Sequence, residues 1–524
     1  MDQLDTLLKK QTSPPAVAAA GGYNPPVSVI MFAGSQAFSS DMHKVKNTLY
    51  IIFLVLFLTS ENLFAAELET SSHFMANHWS GLISLAIFII AILLVSFEER
   101  INLRKSKPVL LAAGLIWGLI GWMAVQTNTT QSAEQAVRIT LLHYAELMLL
   151  ILVVMTYINA MGERQVFIAL RSWLCNRGLS YRGLFWSTGI ATFFLSPFLD
   201  NLSSALLVGA LILVIEPDNR RFISIGCINV VVAANAGGAF SPFGDITTLM
   251  VWQQNIETTN GTLGFWSFFN LFIPSLLSYL IPAAAMHFAL PKGSLKPHCE
   301  KILLRRGARR IIVLFLCAIA TAVFFRGVLY LPAVIGMLTG LSYLQLFGYY
   351  LKISHRPQDE GILDTEQLAF PIPIDSKSPF DVFTRVARIE WDSLLFIYGI
   401  ALSVGGLNYI GYLTTASDLI YSQWGATYAN IAVGLASSVI ENVPTMYGVL
   451  GMMPNMSQGE WLLVTMSVGT GGSLLAIGSA AGIALMGESK GQYTFFSHLK
   501  WTPVILLAYV ISILVHLWLN AKLF

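Results

Sequence analysis

Three carboxylates in this chain stand in apolar surroundings beside amides, hydroxyls and glycines. Asp200 and Asn201 close the string Ser196-Pro-Phe-Leu-Asp-Asn and are followed by two further serines. Asp245 ends Gly237-Gly-Ala-Phe-Ser-Pro-Phe-Gly-Asp and precedes Thr247 and Thr248, with Asn235 just upstream. Glu441 and Asn442 end Ser437-Ser-Val-Ile-Glu-Asn, and Ser473 and Ser479 follow in another glycine-rich stretch. Carboxylate, amide and hydroxyl oxygens are the ligands that hard cations take, whereas zinc or a soft metal would want Cys and His, and none is near. The competing reading is helix capping, since Asn201 with Ser203 and Ser204, or Asp245 with its threonines, can satisfy free amides. Both roles can coexist.

The elements that carry these residues are membrane spans. Only 11% of the 524 residues are charged and 55% are hydrophobic, against roughly 25% charged in soluble domains. A net charge of +2 excludes a basic nucleic-acid binder, and four scattered cysteines exclude a disulfide framework. Apolar runs of about 20 residues, the length that crosses the hydrocarbon, cover 79–97, 108–126, 140–161, 264–290, 309–328, 331–350, 391–410 and 501–520. Four more stretches, 183–215, 222–252, 426–452 and 460–486, are broken by Gly, Pro, Ser, Asp or Asn. Irregular backbone at membrane depth survives only where protein or a water-filled cavity satisfies it. A carboxylate at the bilayer centre costs about 2.5–3.5 kcal/mol, so Asp200, Asp245 and Glu441 at such breaks are functional candidates.

Lys and Arg set the orientation. Arg100, Arg104, Lys105 and Lys107 place the loop after the first span in the cytoplasm, and the basic linker 291–308 belongs there too. Arginines flank 183–215 on both sides (Arg177 and Arg182, then Arg220 and Arg221), so this stretch reads as a re-entrant hairpin with its tip at 196–201. No Lys or Arg lies between Arg388 and Lys490, which suits a hairpin over 426–452 entering from outside.

Two halves align. The hairpin tips Ser196…Asp200-Asn201 and Ser437…Glu441-Asn442 are 241 residues apart, and the breaks Gly237-Gly238…Gly244-Asp245 and Gly471-Gly472…Gly478-Ser479 are 234 apart. The expected architecture is an all-α polytopic membrane protein of two inverted-topology repeats, 78–290 and 309–520. Each repeat has five spans, an amphipathic stretch (165–178 or 411–423) and one re-entrant hairpin, and 352–390 forms a cytoplasmic loop. Paired discontinuous helices in inverted repeats are the signature of secondary transporters that bind substrate near the midplane. Residues 1–41 lack periodicity and read as a dispensable extension. Residues 42–66 have the charged start, apolar middle and small-residue end of a secretory signal peptide, the alternative being an extra helix; translation is then expected to begin functionally at Met42.

Glu146 and His143 share a face of the third span. Either could take part in proton movement; the alternative is packing, which suits His143 better. A buried carboxylate cluster binds a cation or protons but not both, so the two compete through the same groups, and coupled protons belong to the cluster.

The strings around Asp200, Asn235–Asp245 and 469–482 resemble those of NhaD-type sodium/proton antiporters, of the ion-transporter superfamily that includes arsenite permeases and dicarboxylate carriers. The resemblance runs from about residue 78 to the C-terminus. It implies Na+/H+ exchange by elevator-like alternating access, with Li+ as a conceivable second cation, in a homodimer in the inner membrane of a bacterial-type cell. It implies no cofactor, and an ion site lined by Ser196, Asp200, Asn201, Asn235, Asp245, Thr247, Thr248, Ser437, Glu441 and Asn442. Glu441 departs from the aspartate that family members commonly carry. Runner-up readings are arsenite transport and sodium-coupled carboxylate transport, although carboxylates would repel an anionic substrate. An intramembrane aspartyl protease would want a Gly-x-Gly-Asp loop where this chain has Pro242-Phe-Gly-Asp245, and a channel would want a selectivity filter, so no enzymatic activity is expected.

Overall fold

A computed structural model describes residues 78–96, 103–175, 180–215, 219–258, 261–291, 293, 304–354, 386 and 389–524. All of these belong to the second of two units, Glu67–Phe524. The extension 1–41, the signal-peptide segment 42–66, most of the linker 291–308 and nearly all of the loop 352–390 lie outside the described residues.

The described chain is helical apart from a two-stranded ribbon, in which β1 (Glu257–Thr258) pairs antiparallel with β2 (Gly261–Thr262). Among the described residues eight helices are long and apolar enough to cross a membrane, which makes this an all-α, multi-pass membrane protein. The first half runs α1 (Trp79–Ser96), α2 (Ser106–Gln126), α3 (Thr130–Glu163) and a short α4 (Val166–Cys175). It continues through α5 (Tyr181–Leu199), α6 (Asn201–Ile215), α7 (Arg220–Gly238), α8 (Ile246–Gln253) and α9 (Phe272–Ala289). The second half runs α10 (Ala308–Gly327), α11 (Ala333–Ile353), α12 (Trp391–Ile410) and a short α13 (Tyr412–Ser417). Then come α14 (Ala426–Ala436), α15 (Asn442–Met452), α16 (Gln458–Gly471), α17 (Ala480–Glu488), the short α18 (Phe495–Leu499) and α19 (Thr502–Leu519).

Two boundaries differ from those read in the sequence. The third span, expected over 140–161, begins at Thr130 and has 34 residues. At 1.5 Å per residue it is about 51 Å long, well beyond the roughly 30 Å of hydrocarbon. Its early turns hold the exposed pair Glu134–Arg138, whose 2.7 Å contact between residues four apart supports helix there. The stretch 222–252 divides unevenly into the 19-residue α7 and the 8-residue α8. Nearly all of α7 is buried, so it is a core element whose neighbours are protein.

Packing crosses between the halves. The helix α2 lies along α12, α3 touches α11 and α12, and α9 lies along α19. Tyr157 of α3 donates its hydroxyl to Gly340 O of α11 at 2.6 Å. Of the hairpin arms, α6 packs on α7 and α17, and α15 packs on α12 and α8. Each half therefore supplies part of the other's surroundings at the breaks.

Candidate ion-binding site

The breaks are built by backbone meeting backbone. After Gly238 the chain leaves helix and returns at Asp245, and Gly238 and Gly244 lie so close that a Cβ on Gly244 would fall 2.4 Å from Gly238 O. The second half repeats this: a Cβ on Gly478 would fall 2.7 Å from Gly472 O. The preceding glycines touch the hairpins' first arms, with Phe193 O 2.3 Å from a Cβ on Gly237 and Gly434 O 2.0 Å from one on Gly471. Only glycine fits such approaches.

The two tip serines fasten the hairpins in matching ways. Ser196 Oγ donates to Ala234 O of α7 at 2.6 Å. Ser437 Oγ lies 2.9 Å from Val468 O of α16, and 2.8 Å from Gly434 O. Both hydroxyls are buried and oriented by main-chain carbonyls.

Asp200 turns the first hairpin with φ 65° and caps α6, its Oδ1 accepting the Ser203 N–H at 2.7 Å and its Oδ2 the Ser203 hydroxyl at 3.0 Å. The cap is thus Asp200 and not Asn201. Asn201 is free to donate from Nδ2 to Asn235 Oδ1 at 3.1 Å, and Asn235 Nδ2 donates in turn to Ser479 Oγ at 3.0 Å. This chain of three side chains joins the first hairpin, the first broken span and the second broken span. Ser479 also caps α17, accepting from the Gly482 N–H at 3.3 Å.

Asp245 begins α8 and is buried. Thr247 Oγ1 donates to its Oδ2 at 2.9 Å, and its own N–H donates to Thr248 Oγ1 at 3.1 Å. Asn442 Nδ2, at the start of α15, reaches the same Oδ2 at 3.5 Å. The other amide atom, Asn442 Oδ1, is buried without a hydrogen-bond partner among the described residues. A buried amide oxygen left unpaired is a costly arrangement in a protein interior unless something cationic or protic uses it.

The remaining candidates are placed differently. Glu441 lies 3.2 Å from Lys105 Nζ and pairs with that ammonium. Among the described residues no three His, Cys, Asp or Glu side chains converge as metal ligands. An ammonium within contact distance neutralises Glu441 and holds it there. Ser473 turns its hydroxyl to Thr470 O at 2.6 Å, away from the chain through Ser479, and its carbonyl faces His498 Nε2 at 2.8 Å. Glu146 lies 3.4 Å from Gln253 Nε2 at the end of α8, and that amide also donates to His143 O at 3.0 Å. The exposed His143 takes part there through its backbone. Arg326 donates to Gln253 O at 2.9 Å. Lys105, Gln253 and Arg326 were not among the expected site residues; the one signal for them was a charged or amide residue next to an apolar run.

A multi-pass helical protein whose interior gathers amide, hydroxyl and carboxylate oxygens at paired helix breaks has the make-up of an ion carrier. A family model described as a citrate transporter (CitMHS) matches residues 83–469. The Na+/H+ antiporter NhaD of Alkalimonas amylolytica is 50% identical over 490 residues, 92% of this chain and 99% of that protein. NhaD of Vibrio cholerae is 52% identical over 456 residues (85% and 93%), and that of Halomonas elongata 50% over 467 (88% and 92%). The chain belongs to the family of these NhaD antiporters, within the broader group that the citrate transporter model covers.

Proposed function

We propose that this chain exchanges Na+ for H+ across the membrane by alternating access, with Asp245 and Asn442 at the centre of the cation site. The observation that carries the placement is Asn442: its Nδ2 meets the Asp245 carboxylate while its buried Oδ1 has no partner, so the residue that touches this carboxylate also holds an unused oxygen for a small cation. Thr247 holds the carboxylate, and the Asn201–Asn235–Ser479 chain ties the first hairpin to both broken spans. A proton on Asp245 removes the charge that a cation needs, so proton and Na+ exclude one another at one group. Li+, with the same hard-oxygen preference, is a second substrate of this site.

In this reading the two halves are inverted repeats, supported by the matched pairs Ser196–Ala234 and Ser437–Val468 and by the matched glycine approaches. Helices α5–α6 and α14–α15 are re-entrant hairpins from opposite faces, 78–290 and 309–520 are the repeat boundaries, and the protein is a homodimer of the bacterial inner membrane. An anionic substrate such as citrate or another carboxylate would meet Asp200 and Asp245 as like charges, so cation exchange is favoured over the anion carriers of the broader group.

The test is proton movement in inverted vesicles after addition of Na+, Li+, K+, citrate or arsenite. Proton release driven by Na+ and Li+ is expected. A response to citrate or arsenite with none to Na+ would overturn the reading.

A further inference from the structure

Lys105 stands directly before α2, and its ammonium lies 3.2 Å from Oε1 of Glu441, the residue directly before α15. Both side chains are largely withdrawn from solvent, each 19% exposed, so this pair is not a solvated surface contact. The ammonium also lies 4.7 Å from the centroid of the Phe396 ring, a buried residue of α12. Cation–π contact and a carboxylate together define a seat for one positive charge.

The two partners belong to different groups of helices. Lys105 is anchored with α2, whose Ser106 hydroxyl donates to Asp392 at the start of α12, and Val109 packs into one apolar cluster with Phe396, Ile400 and Val404. Glu441 belongs to the second hairpin, and the next residue, Asn442, is the one that reaches Asp245. Asp392, which accepts from the Ser106 hydroxyl beside Lys105, and Glu390 just before α12 are the acidic groups of this anchorage.

Resting on the Na+/H+ exchange reading above, we propose that Lys105 is a tethered competitor for the transported cation. Its ammonium occupies the carboxylate of Glu441 and must give way as Na+ approaches the tip of the second hairpin. Na+ at Asp245 and Asn442, the residue next to Glu441, repels the ammonium, so Na+ binding weakens the Lys105–Glu441 contact. The contact also ties the hairpin tip to the start of α2, so displacing the ammonium removes that tie while the packing of α15 on α12 remains. Lys105 acts here as a positioning and selectivity residue and not as a ligand.

The test uses the purified full chain at fixed pH and constant ionic strength, with choline replacing Na+. Acetylation of Lys105 by an amine-reactive ester is followed by mass spectrometry, with the exposed Lys522 as internal reference. Na+ is expected to speed labelling of Lys105 relative to Lys522. In proteoliposomes Lys105→Met, which keeps the aliphatic stem over Phe396 and removes the charge, is expected to lower the apparent Na+ KM roughly three-fold, the scale of a partly exposed ion pair. Lys105→Arg is expected to keep the parent KM. Labelling of Lys105 that is indifferent to Na+, or a Met variant with the parent KM, would overturn the inference; labelling decides alone if that variant fails to accumulate. A parent chain without Na+-driven proton movement would instead remove the functional reading itself.

Discussion

Asn442 Nδ2 lies 3.5 Å from Asp245 Oδ2 across 197 residues of sequence, joining the start of a half-helix in one half of the chain to the tip of a hairpin in the other. Neither half has this pair alone. The carboxylate comes from a broken span and the amide from a hairpin, so the candidate site forms only when both halves are folded against each other.

Replacing Asp245 by Asn is expected to abolish Na+-driven proton movement while leaving the protein in the membrane at parent levels. The neutral side chain keeps an acceptor for the Thr247 hydroxyl and removes the charge a cation requires. Asp200→Asn should behave likewise, because the acceptor that caps α6 survives. Dye-monitored proton flux in inverted vesicles reads both, and parent-like flux in either variant would reduce that residue to a helix cap.

Gly472→Ala is expected to raise the apparent Na+ KM about tenfold, since overpacking typically costs about 1–3 kcal/mol. The new methyl would sit 2.3 Å from Asn442 Oδ1 and push the amide out of the position from which its Nδ2 meets Asp245. Gly448→Ala, on the same hairpin, meets nothing within 4 Å and serves as the neutral comparison. Equal Na+ titrations for the two variants would detach Asn442 from the site.

How much of this was legible beforehand differs from residue to residue. The break between Gly238 and Asp245 was readable because two glycines, a proline and a third glycine interrupt an apolar run, and the chain does leave helix there. The early start of α3 was not, because Glu134 and Arg138 look like a membrane edge and also make a good i,i+4 helical pair. Asn201, for which the sequence allows both an ion-site role and a cap, leaves the cap to Asp200, whose φ is 65°, and gives its amide to Asn235. Lys105 was counted only as one of several loop charges. Its partner lies 336 residues away, and no local pattern carries information over that separation.

Apparent Na+ affinity is expected to rise with pH from 6 to 9. A proton on the shared carboxylate must leave before Na+ binds, so lowering pH weakens binding by up to about tenfold per unit for one competing proton and raising pH restores it until the group is fully ionised. By reciprocity, Na+ should lower the pH at which half of the protons are released. Proteoliposome titrations at several pH values measure this, and an affinity flat across the range would separate the proton and Na+ sites.

Cysteine accessibility should place Arg221 in the cytoplasm and Asn455 outside, because the first hairpin returns to its side of entry and the second does the same from the opposite face. Both positions are exposed, and the four native cysteines would be replaced first. Labelling of Arg221→Cys only from the outer face would rule out the re-entrant first hairpin.

The glycine-on-glycine contacts at 238 and 244 and at 472 and 478 bear on how this protein can change over evolutionary time. With backbone facing backbone, even one added methyl at these four positions meets main-chain oxygen within 3.0 Å. Inherited variation there is narrowed in each half independently, because any added side chain must displace main chain or, at Gly472, the Asn442 amide. Altered ion preference must therefore arise at the side chains standing around these fixed breaks, Ser479 and Asn235 among them, where one hydroxyl or amide can be exchanged without disturbing the turn that presents it.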